Sequence, residues 1–174
     1  MNLAQETSLV MASLTVLGQA LILIILFSYL FKWEFILSRI KGRALYFAFI
    51  VALIATGGSL WYSEVVGFAP CELCWWQRIF MYPQVLLLGI AAAKRDVKIR
   101  VYAGIMAIMG GLIAIRHYLM QIGAVEVTGC STVGYSVNCA ENFGMTFGYV
   151  TIPLMSLTAF VLIITLLSLI KIEE

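Results

Sequence analysis

Charged residues along this chain are gathered between five long, nearly uncharged blocks, at roughly 9–31, 44–62, 75–93, 101–120 and 147–170. At a rise of about 1.5 Å per residue, each block is long enough as a helix to cross about 30 Å of hydrocarbon. The second and fourth blocks carry small residues four apart. Ala48, Ala52 and Thr56, with Ala55 and Ser59, mark one face; Ala103, Ala107 and Gly111, with Gly110 and Ala114, mark the other. Such faces let membrane helices approach closely, since packing replaces the hydrophobic drive that lipid removes. Pro83 and Pro153 each fall inside a block and are expected to kink it.

Composition agrees with this pattern. Of 174 residues, 63% are hydrophobic and only 11% charged, more apolar surface than a water-soluble domain can hide. The predicted fold class is all-α: a polytopic membrane helical bundle in a lipid bilayer, with no room for a separate soluble domain. The first block is not a signal peptide by pattern. Its apolar run is too long, no basic segment precedes it, and its positive charges follow it.

Charge placement then orients the chain. Lys32, Arg39, Lys41 and Arg43 separate the first two blocks, and Lys94, Arg95, Lys98 and Arg100 separate the third from the fourth. Lys171 follows the fifth. The connections 63–74 and 121–146 hold no lysine or arginine and carry Glu64, Glu72, Glu126 and Glu141. The positive-inside rule predicts an N-terminus outside, with the basic loops and C-terminus in the cytoplasm.

All four cysteines fall in the two outer connections: Cys71 and Cys74 in the first, Cys130 and Cys139 in the second. Outside a bacterial plasma membrane, disulfides persist. Three readings compete. Four thiolates can hold zinc, although structural zinc sites usually use two close pairs on compact turns, and eight residues separate Cys130 from Cys139. Two structural disulfides can staple the loops, each worth at most about 3 kcal/mol for closing about ten residues. Or the two pairs exchange disulfides with each other and with an outside partner. That chemistry needs an attacking thiolate, an accessible sulfur and freedom to move. A tight pair at a helix start and a second pair on a long glycine-rich loop suit it.

Electrons that reach Cys71 and Cys74 at the lipid boundary need an acceptor, and a membrane quinone is the two-electron carrier at hand. Arg78 stands one helical turn below Cys74, placed either to anchor the interface or to hold the thiolate and the quinone oxygen. His117, the single histidine, sits near the outer end of the fourth block as an interfacial side chain or a quinone hydrogen-bond donor. Trp75, Trp76 and Tyr62 read as an aromatic belt. No phosphate loop, serine–histidine–aspartate set, paired intramembrane carboxylates or outer basic patch is present, and nothing suggests a nucleic-acid partner or a resident metal.

Several segments together resemble the DsbB/BdbC family of disulfide-bond formation proteins. They are Ser59-Leu60-Trp61-Tyr62-Ser63-Glu64, Pro70-Cys71-Glu72-Leu73-Cys74-Trp75-Trp76-Gln77-Arg78, Arg116-His117-Tyr118, and Phe147-Gly148-Tyr149-Val150-Thr151-Ile152-Pro153 after Cys139. The resemblance covers roughly 44–170. It implies a four-helix membrane bundle over 44–174 with two extracytoplasmic cysteine loops, preceded by an extra transmembrane helix and basic loop over 1–43. It also implies an activity: oxidation of a secreted DsbA/BdbD-like thioredoxin-fold oxidase, with ubiquinone or menaquinone as final acceptor. By position, Cys130 looks like the cysteine that meets the partner and Cys74 the one beside the quinone, with Arg78 and His117 lining the quinone site. The sequence departs from the family pattern in its extra first helix and in the close spacing of its second pair. The alternatives are a vitamin-K-epoxide-reductase-like quinone reductase, or a non-catalytic scaffold or transporter subunit with structural disulfides.

Overall fold

A computed structural model describes residues 3–126, 138–140 and 145–170, the Ile36 side chain excepted. Among the described residues the helices are α1 Leu3–Leu30, α2 Glu34–Lys41, α3 Ala44–Glu64, α4 Glu72–Lys94, α5 Ile99–Gln121 and α6 Ile152–Ser168. No strand occurs among them, only one isolated bridge between Thr146 and Val150. The protein is an all-helical, multi-pass membrane bundle. Helices α1, α3 and α5 are long and apolar enough to cross a membrane by themselves, and α6 is a shorter apolar helix.

Helices α3, α4, α5 and α6 pack as successive neighbours, and α6 closes the ring against α3. Helix α1 lies outside that ring against α6. The small residues place these contacts. Ala48 and Ala52 on α3 and Ala103, Ala107 and Ala114 on α5 are fully buried. A Cβ built on Gly110 would run into the ring of Phe160, itself fully buried on α6, so glycine is the residue that lets α5 and α6 meet.

Two features differ from the sequence expectation. The basic segment after the first span contains a helix, α2, in which Lys41 and Glu34 pair at 3.9 Å. Pro153 does not kink a span: α6 begins at Ile152, so the proline occupies the first turn, where its missing N–H costs nothing. Pro83 does lie inside α4, and beside it the Gln84 side chain donates to the Phe80 carbonyl at 2.9 Å.

Candidate redox site

The connection from α3 to α4 is shaped to return the chain onto the bundle. Gly67 takes φ +81°, a region glycine enters without strain, and this lets the Phe68 N–H reach the Tyr62 carbonyl at 2.9 Å. The Tyr62 and Phe68 rings then stack with centroids 5.8 Å apart. Cys71 arrives as the N-cap of α4, with extended backbone, and its sulfur accepts from the Cys74 N–H at 3.3 Å. This is the geometry of a serine or threonine cap carried out by sulfur. The Cys-x-x-Cys motif therefore starts the helix, three residues earlier than the apolar block alone suggested.

The two sulfurs lie 2.9 Å apart and both cysteines are free. Cys71 is 2% exposed, whereas Cys74 is half-buried. The hydrogen bond from Cys74 outweighs burial and, with His117 behind it, brings the Cys71 thiol from 9.0 down to about 5. The positive end of the α4 dipole acts in the same direction.

His117 is buried, reaching in from the C-terminal end of α5. Its Nε2 lies 3.6 Å from Cys71 Sγ and 3.2 Å from the Cys139 carbonyl oxygen, and its Nδ1 lies 3.0 Å from Gln77 Nε2. A carbonyl can only accept, so Nε2 carries the hydrogen, and Nδ1 accepts from the Gln77 amide. Gln77, one helical turn into α4, thus fixes the tautomer that turns an N–H toward Cys71. Cys139 is fully buried, disulfide-bonded, and in one apolar cluster with Cys71, Leu73 and Met120. Cys130 lies outside the described residues. The ligand atoms of Cys71, Cys74 and His117 fall within 4.8 Å of one another, a set a soft metal ion could share, but the Cys139 sulfur is held in its disulfide.

Arg78 turns the other way. Its Nε donates to Ser59 Oγ at 3.1 Å and its Nη2 to the Ser59 carbonyl at 3.2 Å, while the guanidinium lies 5.1 Å over the Trp75 ring. Tyr82 donates to the same Ser59 hydroxyl at 3.2 Å. A cavity of about 600 Å³ opens here. Cys71, Cys74, Gln77, Arg78, Tyr82 and His117 line its polar end, and apolar side chains of α1, α3 and α6 line the rest. Sequence reasoning brought forward Cys71, Cys74, Arg78 and His117 but passed over Gln77, Ser59 and Tyr82. Ser59 reads in the sequence only as a small packing residue, and Gln77 stands in the motif without an evident role, although its place on the face of α4 one turn after Cys74 is a usable signal.

Residues 41–170 match the family described as disulfide bond formation protein DsbB. The chain belongs to the DsbB family. It is 47% identical over 133 residues to disulfide bond formation protein C of Bacillus subtilis (strain 168), covering 75% of this chain and 94% of that protein. It is 40% identical over 139 residues to a probable disulfide formation protein of Oceanobacillus iheyensis, covering 79% and 95%. A Coxiella burnetii probable disulfide formation protein is 39% identical over 122 residues, covering 69% and 82%. No solved structure matches the chain. As a DsbB-family member the protein is a membrane disulfide oxidoreductase.

Proposed function

We propose that this protein draws electrons from an extracytoplasmic thioredoxin-fold thiol oxidase and delivers them to a membrane quinone, ubiquinone or menaquinone. The observation that carries this reading is the cavity. It is apolar along most of its length and ends at a dithiol, a guanidinium and a histidine. A quinone fits that lining, with its ring at the polar end. It supplies the two-electron acceptor; the protein supplies the dithiol and the charge around it.

The burial of Cys139 beside Cys71 supports the following sulfur steps. A partner thiolate attacks the Cys130–Cys139 disulfide at Cys130, and Cys139 leaves as thiolate. The second partner thiol resolves the mixed disulfide. Cys139, buried against Cys71, then attacks the Cys71 sulfur of the Cys71–Cys74 disulfide and releases Cys74 as thiolate. Cys130 attacks Cys139, freeing Cys71 and restoring the loop disulfide. The Cys71–Cys74 dithiol finally loses two electrons and two protons to the quinone and closes again. The His117 N–H steadies charge on Cys71, and Arg78 provides the cation beside Cys74. Free Cys71 and Cys74 with a disulfide-bonded Cys139 correspond to the state just before that last step.

Orientation belongs to the same proposal. The basic segments 32–43 and 94–100 face the cytoplasm, and both cysteine connections face outside. The domain reading places the working bundle at 44–174 and an added helix with its basic connection at 1–43. Quinone absorbance is the direct test: purified protein is mixed with a ubiquinone or menaquinone analogue and a reduced thioredoxin-fold oxidase. Loss of oxidised quinone that requires Cys74 and Cys130 is expected. Folded protein that leaves every quinone oxidised would sink the reading.

A further inference from the structure

Helix α1 lies ahead of the family match, which begins at residue 41. The Bacillus subtilis relative is covered to 94% by its match, leaving too little of it for a helix of 28 residues. Its place in this structure is specific. At its outer end α1 is clasped to α3: Trp61 Nε1 donates to Thr7 Oγ1 at 3.3 Å, and the Tyr62 hydroxyl to Ser8 Oγ at 3.5 Å. The Met11 sulfur sits 3.2 Å from where a Cβ on Gly58 would be. On the other side, Gly18 and Gln19 hold α1 against Thr158 of α6.

Below that clasp the helices part, and the cavity runs between them. Leu14, Leu17 and Leu21 of α1 line it opposite Ile50 and Ile54 of α3 and Leu162 of α6. Leu17 and Leu21 remain 60% and 50% exposed, so they form a wall whose side chains are open to contact with a guest. From Met11 to Ile25 the α1 wall extends about 21 Å along the helix axis. The groove is continuous with Cys74 and Arg78 at its outer end.

We propose that α1 is the lipid-side wall of a groove for the isoprenoid tail, holding that tail between α1, α3 and α6 while the ring meets Cys74. This rests on the quinone reading above. A tail in this groove exchanges lipid contact for protein contact on three sides, and the clasp at Thr7 and Ser8 closes the outer end. Without α1 the groove would be a furrow open to lipid. The added helix thereby makes affinity depend on tail length.

The test measures binding and oxidation separately on the full-length protein in one detergent, using a tail-less and a long-tailed benzoquinone. Equilibrium binding is read from tryptophan quenching, and contact from a benzoquinone with a photoreactive group partway along its tail. The Ala55→Phe substitution, on the α3 side of the groove, and Leu17→Trp, on the α1 side, each fill it independently. Relative to wild type, each should reduce the affinity ratio of long-tailed to tail-less quinone by about tenfold or more, since several buried methylenes lose their contacts. Leu23→Trp, on α1 but outside the cavity lining, should leave that ratio as it is. The photoreactive tail should label residues between Met11 and Ile25. An unchanged ratio in both filling variants, or labelling that avoids α1, overturns the groove while leaving the quinone reading intact. Failure of every quinone, tail-less included, to oxidise the Cys71–Cys74 dithiol overturns the quinone reading itself. If one filling variant does not fold, the other and the labelling still decide.

Discussion

The two flanks of the α4 N-terminus are built on opposite plans. The α5 flank is the tighter one: His117 touches the cavity but is 2% exposed, both its ring nitrogens have partners, and the neighbouring Cys139 is fully buried. On the α3 flank Arg78 and Tyr82 gather on one serine and face a cavity of about 600 Å³. Under the proposed function, the difference separates two chemistries that one dithiol would serve. Sulfur-to-sulfur exchange needs a fixed, dry approach line, which the His117 side gives to Cys71. Exchange with a membrane-borne acceptor needs an open, apolar entrance and a cation, which the Arg78 side gives to Cys74.

The hardest break is at the shared sulfur. Cys74→Ser should abolish quinone reduction outright, read as quinone absorbance over time, because no second sulfur remains to close the disulfide; wild-type turnover in that protein would end the assignment. His117→Ala tests the tighter flank. It should slow transfer from the loop pair to the helix-end pair by about 10²-fold, measured by rapid-quench thiol trapping. The same variant has a pH signature. The Cys71 thiol lies at about 5 in the folded protein against 9.0 for an ordinary thiol, so its thiolate is present above about pH 5 and is lost as pH falls through that value. Removing a group that lowers it must move the thiolate absorbance midpoint upward; a midpoint that stays put would exclude His117 from that role.

Arg78→Lys tests the open flank. The lysine keeps a charge but cannot make both bonds to Ser59, so the KM for quinone should rise about tenfold with a smaller change in kcat. An equal fall in rate with Cys130→Ser-type defects in thiol transfer would place Arg78 on the other flank. The smallest effect is expected from Gln77→Leu. Losing one hydrogen bond that only holds the His117 tautomer should cost about 1 kcal/mol, or about fivefold in loop-to-helix transfer, and should raise the Cys71 midpoint less than His117→Ala does. If Gln77→Leu matched His117→Ala, Gln77 would be doing more than positioning.

Much of this protein is legible in its sequence, for a physical reason. In lipid every backbone group must be satisfied within the segment, so long uncharged blocks can only be helices, and their ends follow the charges. The apolar helices and the helix-start character of the Cys-x-x-Cys motif follow from residues near one another in the chain. Pro153 was misplaced because an apolar block does not say where its first helical turn begins; the turn at 146–150 takes the residues before it.

The meetings between helices were not legible. A helix that is apolar all round shows no stripe to say which face turns inward. Gly110 against Phe160, and Ala103 and Ala107 in their buried row, decide the rotation of α5, and only that rotation brings His117 to Cys71, 46 residues away. Ser59 looked like a packing residue until α3 and α4 were set side by side and Arg78 reached it. The same holds for α1. Its sequence said that it crosses the membrane, but only packing against α6, with a gap left toward α3, made it a wall of the cavity. The sequence by itself determined which segments are membrane helices and that Cys71 and Cys74 stand at a helix start; close packing of small residues, which local pattern does not encode, decided which side chains meet there.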